Sequence, residues 1–290
     1  MRVLLLGGNG MAGRLIATYM ARSTNHKVTV TVREVGQAAS TPGWPALSDL
    51  GIRVRKLDVL QFAEVAAAIA ETSPDVIINA VGVLNHRAED NPIDAYMVNG
   101  LLPHWLRHLG NRENVRLLHI SSDCVFSGSS GNYREDDEPD GKTVYARSKA
   151  LGEVRDSRHL TIRTSIIGPD MKPHGIGLMQ WFLTRQGEVK GFRNVLWNGV
   201  TTLELAKTVV WLLDHPHVGG LMHLTASEVI SKHDLLLLMK EAFDKNDISI
   251  VPDDGPVINR TLTVTRDDVK FRSQSYSEML MQLRQWMSAL

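Results

Sequence analysis

An α/β fold, a Rossmann-type doubly wound parallel sheet with a smaller and mostly C-terminal substrate lobe, is what this 290-residue sequence predicts. Three observations carry that expectation. Short apolar runs alternate with amphipathic stretches through the first third of the chain, the rhythm of βα units. The first run, Val3 to Leu6, is apolar at every position, as expected of a strand buried on both faces. It is cut off by Gly7-Gly8-Asn9-Gly10-Met11-Ala12-Gly13, a glycine-rich turn that leads straight into a helical pattern.

Each element follows from a local signal. Gly13 to Arg22 reads as a helix because Leu15, Ile16, Tyr19 and Met20 recur at helical spacing. Val28 to Val32 is β-branched throughout and reads as the second strand, with Ile52 to Leu57 the third. A helix over Val65 to Glu71 separates it from a fourth strand, Val76 to Val81, and Leu117 to Ser121 gives the fifth. Tyr145 to Arg155 is expected to be helical and Leu160 to Arg163 extended.

Past Gly168-Pro169 the rhythm breaks: Gly and Pro cluster between 168 and 177, and Trp181, Phe182, Phe192 and Trp197 appear. These aromatics could stack on a ligand or simply pack. A helix over Leu203 to Leu213 and a strand over Leu221 to Leu224 return to the first layer. A helix over His233 to Phe243, a Pro/Asp/Gly linker at 252–256 and a terminal helix from Ser277 complete the chain. The expected division is a dinucleotide-binding domain over 1–166, rejoined by 199–226, and a substrate-binding lobe from 167–198 and 227–290.

Composition excludes several functions. Lys+Arg and Asp+Glu each number 32, so no basic excess points to nucleic acid. The single cysteine, Cys124, rules out an internal disulfide framework and fits a reducing compartment. The apolar start is too short for a signal-peptide core, and no apolar stretch approaches the roughly 18 residues of a membrane span. A cytoplasmic monomer or homodimer is expected. His104 and His108 have a zinc-compatible spacing but no evident third ligand, so no metal is expected. Gly141-Lys142-Thr143 has the tail of a P-loop, but Asp136 stands where its first glycine is required.

The chemistry lies at two places. In the turn, Gly7, Gly10 and Gly13 permit a sharp bend and let a pyrophosphate approach the backbone at a helix N-terminus; Asn9 and Met11 lie between them. Twenty residues past Gly13, where an acidic residue would select NAD, stands Arg33. A guanidinium there favours a 2′-phosphate, so NADP(H) is the expected cofactor; Glu34 beside it leaves NAD(H) open. The second place is Tyr145-Ala146-Arg147-Ser148-Lys149, which sets Tyr145 and Lys149 on one helical face. A neighbouring ammonium stabilises a phenolate; lowering a phenol from its usual pKa of about 10 by about three units takes roughly 4 kcal/mol. Ser121-Ser122-Asp123 ends a predicted strand at the edge of the same sheet.

With these motifs, and with Asp58-Val59, Asn79-Ala80-Val81-Gly82, Val98-Asn99 and the run His119 to Phe126, the chain resembles the extended short-chain dehydrogenases/reductases. Ser121 to Gly128 is most similar to the signature of the dTDP-4-dehydrorhamnose reductase-like group, the nucleotide-sugar 4-keto reductases. The resemblance implies Tyr145 as general acid/base and Lys149 as its partner on the nicotinamide ribose. It implies Ser122 on the substrate oxygen and Asn99 holding a water near the lysine. Asp58, Val59, Asn79, Ala80 and Val81 would line the cofactor, and Asp123 and Arg260 the substrate, Arg260 at its diphosphate. Ala146 and Cys124 depart from the commonest pattern, and Cys124 bears on which sugar is accepted. The implied activity is NADPH-dependent reduction of a 4-keto-6-deoxyhexose for polysaccharide synthesis. The alternatives are an epimerase or dehydratase, or a non-catalytic NADP-binding regulatory subunit.

Overall fold

The computed structural model describes residues 1–35, 43–171 and 177–290. Its strands are β1 (Arg2–Leu6), β2 (Lys27–Val32), β3 (Arg53–Lys56), β4 (Val76–Asn79), β5 (Arg116–Ile120), β6 (Leu160–Arg163), β7 (Ile166–Ile167), β8 (Gly187–Phe192), β9 (Val195–Trp197), β10 (Val200–Thr201), β11 (Gly220–His223), β12 (Ile230–Ser231), β13 (Ile248–Asp253) and β14 (Ile258–Asn259). The helices are α1 (Met11–Ser23), α2 (Phe62–Thr72), α3 (Asn85–Asp90), α4 (Pro92–Ala95), α5 (Leu102–Glu113), α6 (Val144–Leu151), α7 (Leu178–Thr184), α8 (Thr202–Asp214), α9 (Lys232–Ala242) and α10 (Tyr276–Ser288). A π-helical turn, Tyr96–Leu101, links α4 to α5.

Seven strands form one parallel sheet in the order β11-β6-β5-β4-β1-β2-β3. The central strand β1 is apolar from Val3 to Leu6 because successive side chains enter different cores. Val3 and Leu5 of β1 pack with Val76 and Ile78 of β4 on one face. Leu4 and Leu6 pack with Ile77 and Leu117 on the other. The order reverses between β1 and β4, and at such a switch point the loops after the strands diverge and open a crevice at their carboxyl ends.

The segment after the sequence loses its rhythm divides between layers. α8 packs against α1, and β11 closes the sheet beside β6. The rest builds small sheets of its own, β8 with β13 and β9 between β12 and β14, covered by α9 and α10. Two expected boundaries differ. The helix expected to reach Arg155 ends at Leu151, and Gly152, which caps it, lies so close to the Asn99 carbonyl that a Cβ there would stand 1.9 Å from it. The expected linker at 252–256 starts as strand: Pro252 and Asp253 complete β13, whose only partner among the described residues is β8, and an edge position tolerates proline. Of the Gly/Pro cluster at 168–177, residues 172–176 lie outside the described residues. Among the described residues no helix is long and apolar enough to cross a membrane.

Candidate active site

The glycine turn lies where the crevice opens. Gly7 has φ +96°, and a Cβ on it would stand 3.1 Å from the Ala80 carbonyl oxygen. Gly13 is tighter still, since a Cβ there would come within 2.2 Å of the Gly7 carbonyl oxygen. The Gly10 amide donates to the Gly7 carbonyl at 3.0 Å, and Arg14 then begins helical bonding by donating to Gly10 at 2.9 Å. The first amides of α1 are therefore left for a ligand, as in an anion-binding helix start. The Asn9 amide nitrogen lies 3.5 Å from the Glu34 carbonyl, while its buried side-chain oxygen has no hydrogen-bond partner among the described residues. Arg33 is exposed just past β2. Asp58 is exposed, its carboxylate accepting from the Leu60 amide at 3.1 Å, and Val59 is buried in the second core. Asn79 is fully buried, turning the chain after β4 by accepting from the Val81 amide at 3.2 Å. Cradle, unpartnered acceptor and exposed guanidinium fit a dinucleotide.

Ser122 follows β5 and caps a short 3-10 turn, Asp123–Val125: its hydroxyl accepts from the Cys124 amide and donates to the Asp123 carboxylate, both at 3.1 Å. Thr143 caps α6 by accepting from the Ala146 amide at 3.0 Å, which sets Tyr145 in the first turn and Lys149 one turn on. The Tyr145 phenol lies beside the Ser122, Asp123 and Cys124 side chains. Burial pushes the phenol above its usual value, the reverse of the lowering expected from Lys149, with the Cys124 and Asp123 side chains adding to the rise. Lys149 is buried too, which lowers its ammonium to about 8 while Glu153 counteracts the fall. Its Nζ donates to the Ile120 carbonyl at 2.6 Å. A protonated phenol and a hydroxyl thus lie side by side: equipment for giving a proton to an oxygen that gains charge.

Asn99 lies in the π-helical turn with its amide fully engaged. It accepts from the Val83 amide at 2.9 Å, and donates to the Val83 carbonyl at 2.9 Å and the Ser148 hydroxyl at 3.0 Å. The side chain therefore fixes the loop after β4 to α6. His104 Nε2 donates to the Leu151 carbonyl at 2.7 Å, and His108 stacks on Trp105, so each of this pair already has a local role.

The far wall comes from the second lobe. Arg260 follows β14; its Nε donates to the Phe126 carbonyl at 3.0 Å, and Nη1 lies 4.0 Å from the Cys124 sulfur. Burial drives the Cys124 thiol up to about 12, which keeps it protonated and unreactive. Burial also raises Asp123, against the opposing pull of Lys232 and Arg260. Trp197 and Phe182 are core residues, and one face of Trp197 stacks on Tyr276 at 5.6 Å, so neither offers a stacking platform. Trp181 is half-buried under Arg185, and Phe192 is exposed. Lys232 was not legible from the sequence, because a lone lysine before a helical pattern carries no spacing signal. Only the pairing of β12 with β9 brings it over Trp197, 4.3 Å from the ring centre.

A family model described as the RmlD substrate binding domain matches residues 1–290. Among curated proteins, the spore coat polysaccharide biosynthesis protein SpsK of Bacillus subtilis is 26% identical over 200 residues, 66% of this chain and 69% of that one. The dTDP-4-dehydrorhamnose reductase of Aggregatibacter actinomycetemcomitans is 25% identical over 274 residues, covering 90% of this chain and 85% of that protein. Among solved structures, a dTDP-4-dehydrorhamnose reductase from Bacillus anthracis in complex with NADP superposes with a TM-score of 0.77 at 16% identity, covering 98% of this chain and 99% of that one.

Proposed function

The chain belongs to the family of the RmlD substrate binding domain, NAD(P)-dependent oxidoreductases of the extended short-chain dehydrogenase/reductase type, and on that premise we propose that it reduces the C4 ketone of a nucleotide-activated 4-keto-6-deoxyhexose with NADPH. The observation that carries this reading is the half-buried Tyr145 phenol beside the Ser122 hydroxyl at the carboxyl edge of the sheet, where the glycine turn also lies. The names of the reductase relatives supply the substrate class.

In this reading the amides at the start of α1 hold the pyrophosphate, Arg33 the 2′-phosphate, and Asp58 and Val59 the adenine end. Asn79, Ala80 and Val81 line the passage between them, and Lys149 turns to the nicotinamide ribose. When bound, the reduced nicotinamide supplies the hydride. Ser122 holds the ketone oxygen by a hydrogen bond and so polarises the carbonyl. Tyr145 gives its proton to that oxygen as negative charge develops on it, and its raised pKa keeps the proton in place at neutral pH until then. Lys149 supplies positive charge behind the phenolate that results. Asp123 and Arg260 face the sugar nucleotide, whose distant binding energy positions a small reacting centre.

The test is NADPH oxidation with a panel of dTDP- and UDP-linked 4-keto sugars, followed by identification of the product. Turnover to the 4-hydroxy sugar is expected. Cofactor binding without turnover on any ketone would mean a non-catalytic subunit, and a product isomerised without net NADPH consumption would mean an epimerase.

A further inference from the structure

Just past the 3-10 turn that Ser122 caps, residues 127–131 loop back through two glycines at positive φ, Gly128 at +88° and Gly131 at +71°. This loop is bonded along its length to the chain around β14. The Phe126 carbonyl accepts from Arg260 Nε at 3.0 Å, and the Gly128 carbonyl from the Asn259 amide at 2.8 Å. The Asn132 amide donates to the Thr261 hydroxyl at 2.9 Å. Tyr133 donates its amide to the Thr261 carbonyl at 2.9 Å, and its carbonyl accepts from the Thr263 amide at 2.7 Å. The fit has no slack: a Cβ on Gly128 would stand 2.8 Å from the Ile258 side chain and 2.9 Å from that of Arg260. Where Arg260 sits therefore depends on the shape of loop 127–131.

One side chain closes that shape. The Tyr133 phenol oxygen accepts from the Gly128 and Ser130 amides, both at 3.2 Å. The Ser127 hydroxyl lies 3.5 Å from the same oxygen; it donates to the Asp140 carboxylate at 2.6 Å, which leaves it to accept the phenol's own proton. Burial pushes the phenol up, but its hydrogen bonds, led by those with Ser127 and the Ser130 amide, outweigh burial and bring it down to about 8, as expected of an oxygen that accepts. Packing alone does not ask for a hydroxyl here. The ring is 6% exposed and stacks on Phe126 with centroids 4.1 Å apart, a place phenylalanine would fill equally well. What the oxygen adds is an acceptor for loop amides that backbone bonding leaves over, at a turn where Gly128 is buried.

We propose that Tyr133 is a positioning residue, whose phenol oxygen holds loop 127–131 in the shape on which Arg260 and its neighbours in 258–263 are seated. Its effect on turnover rests on the reading of Arg260 as a substrate contact. Because the loop leaves directly from the Ser122 turn, closing it fixes the reacting hydroxyl and the opposite wall in one rigid piece, and a fixed reach between them is what positioning of a substrate requires.

The experiment is Tyr133→Phe, which keeps the ring stack and removes only the oxygen. Hydrogen–deuterium exchange is read on peptides covering 127–133 and 258–263, NADPH affinity by fluorescence titration, and kcat and KM with dTDP-4-dehydrorhamnose, the ketone in the names of the reductase relatives. Exchange is expected to quicken by about 10- to 100-fold in both segments, the usual effect of leaving a buried amide without an acceptor. KM should rise about tenfold while kcat stays within about threefold and NADPH affinity within about twofold, the pattern of lost substrate binding. Faster exchange confined to 127–133, or an unchanged KM on a ketone that wild type reduces, overturns the inference while the reductase reading stands. If wild type does not reduce the ketone, the substrate reading falls, and exchange at 258–263 alone decides the inference. Should Tyr133→Phe melt too low to assay, Ser127→Ala, which removes the phenol's own acceptor, replaces it, with faster exchange expected in both segments and unchanged exchange again overturning the inference.

Discussion

Replacing Glu153 by glutamine should both destabilise the protein and move its reaction toward acid, because one carboxylate serves the core and the site at once. Glu153 turns inward two residues after α6 ends. The Arg163 guanidinium meets it in a two-point contact, Nε to one oxygen at 2.6 Å and Nη2 to the other at 2.7 Å. Their side chains are 0% and 2% exposed, so the pair is shielded from solvent. Ser121 donates to the same carboxylate at 3.2 Å, and Arg163 lies over Phe126, 4.9 Å from its ring centre. Removing one partner of such a pair costs about 3–5 kcal/mol, mostly because the other charge stays buried and unpaired. At about 2 °C per kcal/mol for a chain of this size, Tm should fall by roughly 6–10 °C.

The second effect has a definite sign. Glu153 raises Lys149 against the burial that holds it down to about 8. Without the carboxylate, Lys149 loses its proton at lower pH, so the alkaline limb of kcat/KM should move below its wild-type position near pH 8. Circular-dichroism melting and a pH–rate profile measure the two effects. A double variant, Glu153→Gln with Arg163→Met, should recover much of the stability but not the pH shift. A Tm within 2 °C of wild type for the single variant would refute the assignment of the pair as a buried, unsubstituted contact.

Three further outcomes follow from the same geometry. Tyr145→Phe should lower turnover by about 10²- to 10⁴-fold, the usual weight of one general acid, while NADPH affinity stays within a few-fold; a variant retaining most of its kcat would remove Tyr145 from the reaction. Gly13→Ala should abolish cofactor binding in a fluorescence titration, since its Cβ would come within 2.2 Å of the Gly7 carbonyl oxygen, and normal binding would mean the turn is not the phosphate cradle. Arg33→Asp should reverse or erase a preference for NADPH over NADH, which at roughly 1.5–3 kcal/mol for a charge-assisted contact is about one to two orders of magnitude in kcat/KM; equal values for both cofactors in wild type would mean Arg33 serves no 2′-phosphate.

What could be read from the sequence is what local chemistry demands of a single segment. Val3 to Leu6 has to be apolar throughout because its side chains enter two cores in turn. The turn has to carry glycine at 7 and 13 because a positive φ and a backbone crossing leave no room for a Cβ. Tyr145 and Lys149 show themselves by helical spacing. Contacts to the backbone of a distant segment have no such signature. Lys149 spacing suggests a partner in the phenol, yet its ammonium goes to the Ile120 carbonyl, a group every residue possesses. Asn99, expected from the resemblance to hold a water near the lysine, has its amide engaged by Val83 and Ser148 in a π-helical turn that no periodicity announces. The close approach at Gly152, which caps α6, is of the same kind, since it depends on where Asn99 lies.

The charge balance of the chain takes on its meaning only once these positions are fixed. With 32 basic and 32 acidic residues there is no net field to draw anions from a distance, which fits a protein that does not track a polyanionic backbone. Yet the crevice is locally cationic at both ends: Arg33 stands past β2, and Lys232 and Arg260 act together on Asp123 and Cys124. Many of the compensating carboxylates are spent elsewhere in ion pairs, Glu71 on Arg53 and Arg55, Asp254 on Arg193, Asp268 on Arg266. A neutral surface with cations kept back for one cleft discriminates at contact range rather than at long range. That suits two small ligands, each built around a diphosphate and present at modest concentration, better than it suits any polymer. It also predicts that raising salt weakens binding at the half-buried Arg260 only mildly and at the exposed Arg33 more, because partly buried contacts are screened far less than exposed ones.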